Sequence, residues 1–93
     1  MPLSKRDMVQ ESSNTTYSKG EKYFRQRRVK VITAEHGSIV ARVRGSAPGQ
    51  TYDVAMLFAE DGNHLEHYHC DCPAYTQYQG FCKHIIATVL TVQ

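Results

Sequence analysis

Three cysteines and one histidine lie close together near the C-terminal end of the chain, in a spacing that suits metal binding. The run reads C-x-C, nine intervening residues and C-x-H, and its members are Cys70, Cys72, Cys82 and His84. Zn²⁺ accepts thiolate sulfur and imidazole nitrogen in a tetrahedron, and structural zinc sites are closed by four protein ligands. The pattern therefore predicts one structural zinc ion held by these four side chains.

Other uses of three cysteines remain open at this stage. A disulfide would leave one cysteine unpaired, and cysteines that only pack, or a redox thiol pair, are further alternatives. Residues 1–10 carry charges where a signal peptide needs an apolar core, and no apolar run approaches the roughly 20 residues of a membrane span. We expect reduced thiols in an intracellular, cytoplasmic protein without membrane contact.

The predicted ligands constrain the elements around them. Cys70 and Cys72 end a strand, whereas Cys82 should precede a helix and His84 should lie in its first turn, since residues two apart on a helix differ by about 200°. The helix Ile85–Val92 then directs its positive N-terminal end toward the thiolates. Its residues Ile86, Val89 and Leu90 should face a sheet, and Ile85 or Val92 should face a neighbouring domain. A site with four protein ligands has no open position, so we expect neither catalysis nor a small-molecule substrate.

Upstream, one helix is predicted from about Tyr17 to Arg27, with Thr15 or Thr16 as its N-cap. Gly20 within this helix favours close packing against another element. Residues 1–14 are predicted to be flexible or weakly structured, as a frayed terminus or a short docking helix.

Two alternating segments, Arg28–Thr33 and Ile39–Arg44, predict a β-hairpin with the three-residue loop Glu35-His36-Gly37 and glycine in the left-handed position. One face would pair Ile32 with Val40, Lys30 with Arg42 and Arg28 with Arg44; the core face would pair Val31 with Ala41 and Val29 with Val43.

A third strand, Thr51–Phe58, turns Tyr52, Val54, Met56 and Phe58 inward and places Asp53 beside Arg42. A fourth, His64–His69, runs into Cys70, but its register is ambiguous because one shift exchanges the buried face. We expect His64, His67 and His69 to be partly exposed and not to bind the native metal. The predicted class is α+β, with an N-terminal helix, about four antiparallel strands, the finger and a C-terminal helix.

Basic residues are distributed unevenly along the chain. Residues 1–45 contain ten Lys or Arg against four Asp or Glu, and residues 46–93 contain one against five. Six of the basic residues form a candidate patch for phosphates: Arg25, Arg27, Arg28, Lys30, Arg42 and Arg44. The alternative is that solvation and Asp53 merely offset like charges that the hairpin places opposite each other.

The motif Cys70-x-Cys72-Pro73-Ala74-Tyr75, followed by Gly80-x-Cys82-Lys83-His84-Ile85, resembles the SWIM zinc finger. Four upstream runs resemble the segment that precedes this finger at the N-terminus of bacterial Swi/Snf-type ATPases: Tyr17–Phe24, Arg28–Val29, Val43–Ser46 and Tyr52–Val54. The resemblance implies a single SWIM-type domain over residues 15–93, divided into helix plus sheet (15–69) and finger plus helix (70–93).

The resemblance also implies a binding function, because SWIM fingers are proposed to bind DNA or proteins. We expect a zinc-binding module that contacts nucleic acid, DNA in preference, as part of a Swi/Snf-type helicase-like ATPase; the alternative is a protein-docking module without nucleic-acid contact. We expect the chain to depart from such ATPases in length, with no helicase motor after Gln93. Whether DNA, RNA or protein is the direct partner is not decided by the sequence.

Overall fold

Alternating apolar and polar residues build four strands that pair as an antiparallel meander in the order β1-β2-β3-β4. The computed structural model describes residues 3–78 and 80–93. Their elements are, in chain order, α1 (Lys5–Gln10), α2 (Asn14–Arg25), β1 (Val29–Glu35), β2 (Ser38–Arg44), β3 (Thr51–Phe58), β4 (Leu65–Cys70), α3 (Pro73–Tyr78) and α4 (Lys83–Val92). The predicted α+β class is confirmed.

The β1–β2 hairpin corrects the predicted loop but keeps most of the predicted register. Its loop has two residues, His36 and Gly37, with φ of 51° and 81°, the left-handed pair that a tight hairpin turn requires. Glu35 therefore pairs with Ser38, one position away from the predicted register. The register shifts back between Val31 and Thr33, so the residues farther from the turn have their predicted partners. The pairs Val29–Val43, Lys30–Arg42 and Val31–Ala41 are confirmed, whereas Val40 faces Thr33 and the predicted partner Ile32 was wrong.

The structure resolves the register of the fourth strand. β3 has the predicted bounds, and Asp53 pairs with Arg42 as expected. β4 pairs Cys70 with Val54 and Tyr68 with Met56, so these two β4 residues face the core. His67 and His69 alternate with them and are exposed on the outer face.

Helix α2 begins earlier than predicted. Ser13, not Thr15 or Thr16, is the N-cap, and its hydroxyl accepts the N–H of Thr16 at 3.1 Å. The helix ends at Arg25, where the N–H groups of Arg27 and Arg28 bond back to the carbonyls of Phe24 and Tyr23. This is a Schellman end, which needs a left-handed residue, and Arg27 occupies that position with φ of 55°.

Helix α4 is the centre of the core, because it packs against the sheet on one side and against α2 on the other. Residues 84–89 are all buried, as expected for a helix that is apolar all round. Of the two residues expected to face a neighbouring domain, Ile85 is completely buried, which rules it out, and Val92 is half-buried. No helix in residues 3–78 and 80–93 has the length and apolar character needed to cross a bilayer.

The α2–α4 contact is close at Gly20, as predicted. A Cβ built on Gly20 would lie 2.6 Å from Cγ2 of Ile86, a distance that real side chains do not adopt. Glycine at this position therefore allows the two helices to approach each other.

Helix α1 lies within residues 1–14, where the sequence suggested a weakly structured terminus or a short helix. Ser4 and Asp7 form a reciprocal capping box at its start, and Met8 is 1% exposed. After the helix, the Glu11 carbonyl accepts the N–H of Phe81 at 2.9 Å. This segment thus contacts the chain between the two pairs of predicted metal ligands; Met1, Pro2 and Gln79 lie outside the described residues.

Candidate metal centre

The end of β4 and the start of α4 bring the four predicted ligands together. The three cysteine Sγ atoms and one ring nitrogen of His84 all lie within 4.8 Å of one another, and all four residues are buried. Cys70 is the last residue of β4, Cys82 is the N-cap of α4 and His84 lies in the first turn of that helix. The predicted placement of Cys82 before the helix and His84 inside it is confirmed.

The distances within the cluster fit a tetrahedral zinc ion. Nδ1 of His84 lies 3.7 Å from Sγ of Cys70 and 3.9 Å from Sγ of Cys82. With Zn–S of about 2.3 Å and Zn–N of about 2.0 Å, a tetrahedron places sulfur and nitrogen about 3.5 Å apart. The side chains therefore need little movement to coordinate the ion through Nδ1.

Helix α3 orients the second cysteine and was not predicted. It begins at Pro73, whose fixed φ and missing N–H suit the first helical position. The Tyr75 N–H donates to Sγ of Cys72 at 3.4 Å, and the Tyr75 hydroxyl donates to the Tyr68 carbonyl at 3.0 Å. These bonds hold the chain after Cys72 against β4.

The thiols of the cluster influence one another's ionisation. A hydrogen bond with the Cys70 thiol, together with the effect of His84, lowers the pKa of Cys82 to about 4 against the opposing effect of burial. The same bond raises the pKa of Cys70, and burial raises that of Cys72. The Cys82 thiol therefore ionises readily. Ionisation of the other two thiols is unfavourable, because it would add negative charge to the same buried space. A divalent cation would supply the compensating charge, so the donor set fits zinc electrostatically as well as geometrically.

The other ring nitrogen of His84 has an unusual environment. Nε2 is buried and, within the described residues, has no hydrogen-bond partner, although metal-binding histidines usually donate this N–H to an acceptor. The rings of Tyr52 and Tyr23 lie at centroid distances of 4.5 and 5.7 Å from the imidazole. Aromatic packing therefore replaces a hydrogen bond in orienting His84. The sequence indicated only that Tyr52 faces inward; nothing in it placed either tyrosine beside this histidine.

The structure divides the six predicted phosphate-binding residues. Arg42 and Lys30 are neighbours on the outer sheet face, and Nε of Arg42 donates to Asp53 at 3.1 Å. Arg25 forms an ion pair with Glu21 at 3.5 Å. The predicted set is thus not one continuous, unpaired patch.

Arg28 is held away from that face by local contacts. Its side chain donates to the Gly45 carbonyl and to the Gln26 amide oxygen, each at 2.6 Å. Arg28 and Arg44 line a concave surface with the loop 46–50, while Arg27 is exposed at the end of α2. Two sets of cations result, one on the sheet and one beside this loop.

The three additional histidines lie apart from the cluster. His64, His67 and His69 are exposed, and His69 packs against the ring of Tyr75 at 5.1 Å. In the described part of the chain, the group of residues arranged to hold a metal consists of Cys70, Cys72, Cys82 and His84.

Comparison with known protein families agrees with this geometry. The family model of the SWIM zinc finger matches residues 52–93, a span that runs from β3 through α4 and includes all four clustered side chains. Searches of curated proteins and of solved structures found no significant match. The chain therefore contains a SWIM zinc finger, which occupies residues 52–93.

Proposed function

We propose that this chain is a zinc-binding SWIM module that binds nucleic acid, DNA in preference to RNA, as an accessory to a Swi/Snf-type helicase-like ATPase. The buried group of three thiols and one imidazole carries the zinc part of the proposal. The surplus of basic residues in positions 1–45 supports the nucleic-acid part. The upstream resemblance to the N-terminal segment of bacterial Swi/Snf-type ATPases supports the association with a motor.

Zinc has a structural role in this proposal. A domain of this size buries only about 60 to 65% of its unfolded surface, whereas zinc binding in small fingers contributes on the order of 10 kcal/mol. Coordination would join the end of β4 to the first turn of α4. Four protein ligands leave no position for a reacting water, so the module acts by binding and not by catalysis. Reduced thiols suit the reducing interior of a cell.

Nucleic-acid binding draws on cations for which the described residues show no ion pair. Arg44 is exposed on β2, and Arg27 is exposed just before β1. Contacts between such side chains and phosphates release counterions, which makes the affinity strongly salt-dependent.

Protein docking is the second candidate, and the outer sheet face favours it. Ile32 and Val40 are 50% and 39% exposed there, among the most exposed large apolar side chains of the described residues. Ala55 and the half-buried Leu57 extend this surface across β3. The partner would be the ATPase domain itself.

Native mass spectrometry tests the zinc proposal. We expect one zinc ion per chain, and loss of both the ion and the fold in Cys82→Ser and in His84→Ala. His67→Ala is a matched control, because it removes an exposed histidine outside the cluster and should retain the ion. A metal-free chain that keeps its fold would contradict a structural role for zinc.

A salt titration of DNA binding separates the two candidate functions. We expect a steep fall in affinity with salt, and loss of that dependence when Arg28, Lys30, Arg42 and Arg44 are all changed to Glu. Ile32→Ser with Val40→Ser should instead leave DNA affinity unchanged and weaken only association with an ATPase domain. Absence of salt-dependent binding to any DNA or RNA would eliminate the nucleic-acid function and leave docking.

A further inference from the structure

Two adjoining concavities form a groove across one side of the domain. The first, about 640 Å³, lies between α2 and the zinc finger, and its lining includes Lys19, Tyr23, Tyr52 and Lys83. The second, about 370 Å³, lies between the β1–β2 strand ends and the loop 46–50. Ser46 and Gln50 line both, so the two concavities meet at this loop.

The groove gathers positive charge from four separate segments of the chain. Lys19 of α2 and Lys83 of α4 line the first concavity, and Arg28 and Arg44 line the second. Among the described lining residues of both, Glu11, in the first concavity, is the acidic one. This differs from the outer sheet face, where Arg42 is paired with Asp53 and the Asp71 carboxylate accepts the Asp53 N–H.

Two of these cations converge on one aromatic ring. Cζ of Arg28 lies 4.5 Å and Nζ of Lys83 lies 5.1 Å from the centroid of Tyr23. Their charges are therefore closer together than about 10 Å, the Debye length at 0.1 M salt. Because like charges at that distance repel, a bound anion would lower the electrostatic energy of this part of the groove.

The shape of the surface indicates which anion fits. Proteins read duplex DNA by inserting a protruding helix or ribbon into a groove of the duplex. Single strands are instead bound in basic grooves whose aromatic side chains stack on bases. Here the basic surface is concave, and the half-buried ring of Tyr52 lines it beside the metal centre.

We propose that the groove from Lys19 and Lys83 to Arg28 and Arg44 is the binding site for a single nucleic-acid strand, whose phosphates contact these four cations. The proposal rests on the proposed nucleic-acid function and specifies its surface and strand type. It assigns Lys30 and Arg42, on the outer sheet face, no direct part in strand binding.

Fluorescence anisotropy with labelled oligodeoxythymidine, oligouridine and a duplex of the same length tests this proposal on the zinc-loaded protein. The groove variant is Lys19→Gln with Arg44→Gln, and the charge-matched control is Lys30→Gln with Arg42→Gln. Removing two phosphate contacts should weaken single-strand binding about tenfold at 0.15 M salt and reduce the slope of log K against log salt by about 1.4. The control should bind like the wild type. Zinc content and circular dichroism establish that both variants are folded.

The outcomes distinguish the groove from the general function. Loss of single-strand affinity in the groove variant alone supports the proposal, and the two single strands show whether oligodeoxythymidine or oligouridine is preferred. Three results would refute the groove as the binding site while leaving nucleic-acid binding itself supported. They are a loss of single-strand affinity in the sheet-face control alone, an equal loss in both variants, and tighter binding of the duplex than of the single strands. If the wild type binds none of the three probes, the proposed function itself fails.

Discussion

Replacing Gly20 with alanine should destabilise the protein, although alanine favours helices. The new Cβ would lie 2.7 Å from Cβ of Ile86 and 3.0 Å from the Lys83 carbonyl oxygen. Neither atom can move by a simple side-chain rotation, and Ile86 is fully buried. The helical preference for alanine is worth about 1 kcal/mol, whereas overpacking costs about 1 to 3 kcal/mol. The free energy of unfolding should therefore fall, by up to about 2 kcal/mol.

This substitution should also affect the metal centre. The Lys83 carbonyl precedes His84 in the chain, so pushing α4 away from α2 displaces a candidate ligand. Urea unfolding at fixed free zinc concentration measures stability, and competition with a chromophoric chelator measures zinc affinity; both should decrease. Fixing free zinc is necessary because a ligand bound only by the folded state raises apparent stability.

Ser18→Ala is the matched control, because Ser18 is exposed on the same helix. Alanine has a higher helix propensity than serine and would make no new contact at this exposed position, so the substitution should stabilise the protein by about 0.5 kcal/mol. If Gly20→Ala raised the urea midpoint as much as Ser18→Ala does, the close α2–α4 approach would be refuted as the reason for glycine at this position.

Three further predictions concern other parts of the domain. Gly80→Ala places a Cβ 2.7 Å from the Glu11 carbonyl oxygen; it should cost about 1 to 3 kcal/mol and speed hydrogen exchange in α1, and unchanged exchange would contradict the contact. Arg27 has a positive φ, which is unfavourable for residues other than glycine. Arg27→Gly should therefore stabilise the protein by about 1 kcal/mol in thermal unfolding, whereas Arg27→Ala should not. Equal stabilisation by both substitutions would show that the charge, and not backbone strain, is responsible. Removing zinc with excess chelator should abolish the circular dichroism of the folded state, because the metal contributes about as much as the entire stability of a typical domain; a chelated protein with an unchanged spectrum would refute this.

Local patterns predicted most of the sheet. β3 has the predicted bounds, and three hairpin pairs are correct, because alternation and turn residues are properties of neighbouring positions. The predicted pair Ile32–Val40, which is wrong, shows the limit of this reasoning. The two-residue turn shifts the register in one direction, and the irregularity near Ile32 shifts it back. The predicted pairs farther from the turn are therefore correct although the predicted loop is wrong.

Helix positions depended more on packing. Helix α3 was missed because six residues carry too little periodicity to distinguish a short helix from a loop. The burial of Ile85 was also missed, since the helical pattern cannot show that α4 has a partner on each side. Only the packing of α4 between α2 and the sheet decides that Ile85 is covered.

The sequence by itself determined the chemistry of the metal centre. Thiol and imidazole side chains at this spacing define a four-ligand set, and the placement of Cys82 before α4 and His84 within it follows from helix geometry over a few residues. The tertiary structure alone decided what surrounds that set: the tyrosines beside His84, the contact from α1, and the groove whose four cations come from separate parts of the chain. Residues distant in sequence meet only through the packing of whole elements, and local spacing carries no information about such contacts.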